Sequence, residues 1–233
     1  MKKIGIVYAI SHAAGELCKK HIIENSTCCS EDILFHECPA ESYKKAANDL
    51  QKIANLIIQS IELLEKQGAE VIIIAANSVH RAFDIVNEYI KNKYPHVELI
   101  SIIDIAVKEC AQNNYKKVAI FGSNSTVNSK MYHNKLNQSK IKVVELADDE
   151  QTFMNNLISS GCSPSTVKPD MMKNVIKIAN NLKKSGCKAI VFACTELPFV
   201  FNTNNLNIPV VDTNLSLALA AIKKTHQKSI DND

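Results

Sequence analysis

Apolar positions fall into two kinds of run along this chain. Short continuous runs read as buried parallel strands: 3–8 (KIGIVY), 31–36 (EDILFH), 70–75 (EVIIIA) and 98–103 (ELISII). Between them, polar stretches with apolar residues at steps of three and four read as helices over about 13–24, 41–67 and 79–92. In the longest of these, Ala46, Leu50, Ile53, Ile57, Ile61 and Leu64 would form one buried stripe, with Gly68 ending the helix. The pattern then restarts. Strands are expected at 117–122 (KVAIFG), 142–146 (KVVEL), 188–193 (KAIVFA) and 208–212 (IPVVD), with helices at about 126–138, 149–159, 168–185 and 214–224. The last residues are expected to fray.

The restart is an internal repeat that shows in the letters. KKIGIVY from Lys2 answers KKVAIFG from Lys116. Gly68-Ala-Glu-Val-Ile-Ile-Ile-Ala-Ala76-Asn-Ser answers Gly186-Cys-Lys-Ala-Ile-Val-Phe-Ala-Cys194-Thr-Glu. Ile-Ile-Asp104 answers Val-Val-Asp212. The expected fold is therefore α/β, with two pseudo-symmetric lobes, each a short parallel sheet covered by helices. The first lobe takes 1–98 and 213–233, and the second 99–212. Ligands of such sheets bind beyond the carboxyl ends of the strands. If the halves face each other, the loops Tyr8–His12, Ala76–Ser78, Gly122–Thr126 and Cys194–Glu196 line one cleft.

Those loops hold the candidate chemistry. Cys194 ends a strand and opens the turn Cys194-Thr195-Glu196-Leu197-Pro198. Backbone N–H groups there should favour the thiolate, the reactive form, although a cysteine can also be just a small buried residue. Asn77 and Ser78 suit a helix cap, and the same groups can hold a carboxylate. His80 is read as packed or exposed rather than catalytic. Gly122-Ser123-Asn124-Ser125-Thr126 is a polar loop able to present donors to an anion, with Ser11-His12 as its counterpart.

Composition removes several function classes. Of 233 residues, 46% are hydrophobic and 22% charged, which suits a folded chain with a sizeable core. The net charge is +3, but Arg81 is the only arginine and no basic patch carries aromatics, so nucleic acid is not an expected partner. Lys44-Lys45 and Lys223-Lys224 read as solvated helix faces. No apolar stretch is long enough for a membrane, and the start MKKIGIVYAI reads as a strand rather than a signal peptide. A cytoplasmic location follows. The eight cysteines, Cys28 and Cys29 included, show no CxxC and no zinc spacing, and are expected as reduced thiols. There is no GxGxxG and no Walker loop.

Nearly the whole chain resembles the cofactor-independent aspartate/glutamate racemases. The resemblance rests on KIGIVY, GAEVIIIAANSVH, KKVAIFGSNST and GCKAIVFACTELPFVF followed by IPVVDT. It implies a two-lobed protein, often a homodimer, with no cofactor and a small-molecule amino-acid substrate, acidic by analogy. It also implies one thiol on each face of the substrate carbon, since inversion needs a base on one side and an acid on the other. Ser11, Asn77, Ser78, Ser123, Ser125, Thr126 and Thr195 become the candidate carboxylate ligands. The departure is Ala76, which stands where the family has its first cysteine and cannot transfer a proton. Three accounts are open: a replaced cysteine, a single-cysteine member with one-sided activity, or a sister reaction such as a one-cysteine decarboxylation. A non-catalytic binder of small carboxylic acids is the rival from another class. No clear basic partner for a side-chain carboxylate stands out among Lys44, Arg81 and Lys168.

Overall fold

A computed structural model of the chain describes residues 2–27 and 30–226. Cys28, Cys29 and the last residues, for which free thiols and fraying were expected, lie outside the described residues. The chain divides into two compact units: residues up to Ile102 together with those from Asn214 on, and residues 103–213.

The first unit runs β1 (Lys3–Tyr8), α1 (His12–Asn25), β2 (Ile33–Glu37), α2 (Ala40–Ala46), α3 (Leu50–Lys66), β3 (Ala69–Ile74), α4 (Phe83–Lys93) and β4 (Glu98–Ile100). α5 (Ile102–Gln112) begins at the boundary. The second unit holds β5 (Lys117–Phe121), α6 (Asn124–Asn128), α7 (Met131–Gln138), β6 (Lys142–Val144), α8 (Asp148–Ser159), α9 (Pro169–Lys184), β7 (Ala189–Phe192), α10 (Thr203–Leu206) and β8 (Val210–Asp212). α11 (Thr213–Thr225) returns the chain to the first unit. Each unit has a four-stranded parallel sheet, ordered β2-β1-β3-β4 and β6-β5-β7-β8. The α/β expectation holds, and so do the first two blocks of the internal repeat.

The repeat reaches into the core. In the first unit α3 buries Ile53, Ala54, Ile57, Ile61 and Leu64 in one cluster with Val7, Ile72 and Ile74. In the second, α9 buries Val175, Ile178, Ala179 and Leu182 with Ala119, Phe121, Ile190 and Phe192. Removing that much apolar surface from water supplies the main drive to fold each unit. Both helices end before a glycine with φ of +91°, Gly68 and Gly186, a backbone setting that glycine takes without strain.

Five expectations are corrected. The single helix over 41–67 is two: Asp49 takes the N-cap of α3, its side chain accepting from the Lys52 N–H at 3.0 Å, and a new cap starts a new helix. Leu50 therefore leaves the buried stripe and is 44% exposed. The helix over 126–138 is likewise split, at Lys130 with φ of +56°. The strand over 98–103 stops at Ile100, and Ile102–Gln112 is a helix that was not foreseen. Asp104 thus lies on α5 while Asp212 ends β8, so the third matched block of the repeat is out of step. By strand register Ile100 faces Ile73 as Val211 faces Val191, which puts Ser101, not Asp104, in the place of Asp212. Lastly, the helix expected from Val79 opens as a 3-10 turn over Ser78–Ala82.

Candidate functional site

In each sheet the first strand of the unit (β1 or β5) has β2 or β6 on one side and β3 or β7 on the other. The connections leave it in opposite directions, which makes a topological switch point where loops diverge beyond the strand ends. The loops at that point follow β1 and β3 in the first unit, and β5 and β7 in the second. They are the loops with the polar turns. Their register repeats: Ala75 N–H donates to the Val7 carbonyl, and Ala193 N–H to the Phe121 carbonyl, both at 2.9 Å.

Ser11 and Ser123 serve their units alike. Each is the N-cap of the helix after the central strand, accepting from the Ala14 N–H at 3.2 Å and the Thr126 N–H at 3.4 Å. Ser123 also lies 3.2 Å from the Thr126 hydroxyl, which is buried, whereas Ser125 is exposed. The glycine before this loop is closely packed: a Cβ on Gly122 would lie 3.3 Å from the Ala193 Cβ. Gln151 on α8 braces the loop, donating to the Gly122 carbonyl at 3.1 Å and the Asn124 side chain at 3.0 Å.

The turns after β3 and β7 are built differently. In the first unit Asn77, 4% exposed, takes the N-cap place of the 3-10 turn without a side-chain capping bond. The cap expected of Ser78 is therefore absent: the residue sits inside the turn and its carbonyl accepts from Arg81 Nε at 3.1 Å. Arg81 also donates to the Ala47 carbonyl at 2.7 Å, so its guanidinium is committed to backbone. Lys44 stands on α2 facing Glu41, and Lys168 takes the N-cap place of α9. His80 is 4% exposed, with Nδ1 2.8 Å from the Ala76 carbonyl and Nε2 accepting from the Ile102 N–H at 3.2 Å. It is packed, as read from the sequence, but it is also a bridge, which was not foreseen.

In the second unit Thr195 is 6% exposed, and the Cys194 carbonyl accepts from the Leu197 N–H at 3.3 Å. Cys194 as a residue is partly exposed, yet the crowding around its sulfur decides its charge state. Burial pushes the thiol up to about 11, and the Glu196 carboxylate adds to the rise. The N–H groups of Glu196 and Leu197 oppose it and lose. The expectation of a favoured thiolate is thereby reversed, because losing water costs the anion more than two backbone donors return. The sequence hid this: Thr-Glu after the cysteine looked like a polar setting, while its carboxylate works against ionisation.

Among the described residues, Cys18, Cys38, Cys110, Cys162, Cys187 and Cys194 are not joined in disulfides. Among the described residues no group of three His, Cys, Asp or Glu is placed to hold a metal ion. No helix there is long and apolar enough to cross a membrane.

Comparison with known proteins gives a consistent family. The model of the Asp/Glu/Hydantoin racemase family matches residues 16–221. The broad specificity amino-acid racemase RacX of Bacillus subtilis (strain 168) is 23% identical over 193 residues, 82% of this chain and 80% of RacX. Among solved structures, PH1733, an aspartate racemase homologue from Pyrococcus horikoshii OT3, superposes with a TM-score of 0.82 at 23% identity, covering 97% of this chain and 100% of that one. A putative Asp/Glu racemase from Yersinia pestis gives 0.85 at 21% identity, with the same coverage.

Proposed function

Since the chain belongs to the Asp/Glu/Hydantoin racemase family, we propose that it is an amino-acid racemase that works without pyridoxal phosphate and uses the Cys194 thiolate as its base. The observation that carries this is the turn after β7, where a thiol stands at a switch point with backbone N–H groups around it. The likeness to RacX, named a broad specificity amino-acid racemase, supports an amino acid as substrate. Aspartate and glutamate come first to test. The same proposal carries a homodimer located in the cytoplasm.

The step balances simply. The Cys194 sulfur takes the α-proton, leaving the electron pair delocalised into the substrate carboxylate, and the new thiol returns a proton to carbon. Donors that hold the carboxylate stabilise that charge. In the second unit the proposed donors are Thr195, Ser123, Ser125 and Thr126. In the first unit the same role is proposed for Ser11, Asn77 and Ser78. Ala76 offers no proton, so return from the other face depends on water. The chain then exchanges the α-hydrogen faster than it inverts the carbon.

In heavy water, α-hydrogen exchange of one enantiomer, followed by NMR, is expected to outrun loss of optical purity. Cys194→Ala should abolish exchange and leave the fold intact, as only a small buried volume is lost. Exchange that survives Cys194→Ala would remove this residue from the mechanism. Ala76 also favours a second possibility, a one-cysteine decarboxylation, in which a single proton donor suffices. Release of carbon dioxide from a substituted malonate, without amino-acid exchange, would select it.

A further inference from the structure

His80 makes two hydrogen bonds whose partners leave its ring no choice. The Ala76 carbonyl can only accept, so Nδ1, at 2.8 Å, must carry the hydrogen. The Ile102 N–H can only donate, so Nε2, at 3.2 Å, must offer a lone pair. The imidazole is neutral and of one tautomer. It is buried, and it stacks on the Phe83 ring with centroids 5.3 Å apart and 6° between planes. The ring is thus held at both nitrogens and against one aromatic neighbour.

Its grip on Ala76 has a consequence one bond further along. All peptide bonds in the described chain are trans. In a trans peptide the C=O and N–H point to opposite sides. A carbonyl of Ala76 turned to His80 therefore directs the Asn77 N–H away from His80. The matching turn in the second unit has Pro198 where the first has His80, and there the Cys194 carbonyl is held by the Leu197 N–H instead. A side chain does in one unit what backbone does in the other.

On the racemase proposal above, we infer that His80 is a positioning residue: its neutral Nδ1–H locks the Ala76–Asn77 peptide so that the Asn77 N–H is presented as a donor to the substrate carboxylate. His80 itself takes no proton from substrate. A preorganised backbone donor costs no reorientation as negative charge builds on the carboxylate, and loosening it misplaces the substrate.

Two substitutions separate the bonds. His80→Asn keeps a donor near Nδ1 for the Ala76 carbonyl and loses the acceptor for Ile102. His80→Gln reaches Ile102 with an acceptor and loses the donor for Ala76. At matched thermal stability, His80→Asn should keep α-hydrogen exchange within a few-fold. His80→Gln should lose on the order of ten- to a hundred-fold in kcat/KM, through both a higher KM and a lower kcat. Equal losses that track stability, or no loss in either, would overturn the inference. Should both variants fold poorly, the wild type decides by NMR: the Nδ1–H tautomer at His80 and a shift of the Asn77 amide on adding glutamate are expected. An Asn77 amide that ignores glutamate, in a protein shown to bind it, overturns the inference. If no amino acid is exchanged but glutamate still moves the Asn77 amide, the racemase proposal fails and the positioning role stands. If no amino acid of a broad panel binds or reacts, both fail.

Discussion

The turns after β3 and β7 are two copies of one design that have drifted apart in opposite ways. The turn after β7 kept a thiol and holds its first carbonyl with backbone, through Leu197. The turn after β3 has a methyl group at the matching place and holds its first carbonyl with a buried side chain, His80. One copy therefore carries a thiol on a self-supporting loop. The other has no ionisable group at that place on a loop that a neighbouring side chain must brace. Duplicated folds keep their sheets because the core demands it. The strand-end turns lie outside that demand and can specialise.

The largest effect should come from making the turns alike again. Ala76→Cys restores a thiol to the first unit, and a placed acid–base group contributes on the order of a hundred- to ten-thousand-fold. Racemisation, measured by chiral chromatography, should rise by that order relative to α-hydrogen exchange. A folded Ala76→Cys protein that gains nothing with any amino acid would show that the first unit diverged beyond this one residue.

A smaller effect tests how the second turn sets its charge. With the thiol near 11, only a small fraction is ionised at neutral pH. Exchange should climb about tenfold per pH unit toward that value, since each unit multiplies the thiolate fraction by ten. The Glu196 carboxylate raises the thiol value, so removing its charge must lower it. Glu196→Gln should shift the pH–rate curve toward acid and speed exchange several-fold at pH 8. An unmoved curve would break the link between Glu196 and Cys194.

The smallest effect lies where the copies still agree. Gly68 and Gly186 share φ of +91°, and a Cβ at either would meet only a lysine side chain, that of Lys3 at 3.8 Å or Lys117 at 3.7 Å. Only the backbone setting resists substitution. Gly68→Ala and Gly186→Ala should each cost roughly 1–2 kcal/mol in chemical denaturation, by nearly equal amounts. Unequal costs would show that the two caps are not equivalent.

How far the letters reached can be read from particular residues. KIGIVY and KVAIFG, with the blocks from Gly68 and Gly186, placed the central strands and the repeat because a buried parallel strand is apolar throughout. They also led to the family through CTELP. The third block misled: Ile-Ile-Asp104 looks like Val-Val-Asp212, but a short apolar run followed by a polar residue fits a strand end and a buried helix start equally well. The long stripe through Leu50 misled for a related reason. Periodicity of three and four continues across a break that one Asp49 cap can create.

The sequence by itself determined the two α/β units, the parallel sheets, and the presence of Cys194 and Ala76 at matched strand ends. These follow from local periodicity and from repeated letters, which act over a few residues. Only the tertiary structure decided the charge state of Cys194 and the part played by His80. Both depend on what surrounds an atom in three dimensions. Burial outweighs the two backbone donors at the Cys194 sulfur, and the amide that fixes the His80 tautomer comes from Ile102, at the start of a helix that the letters did not foretell.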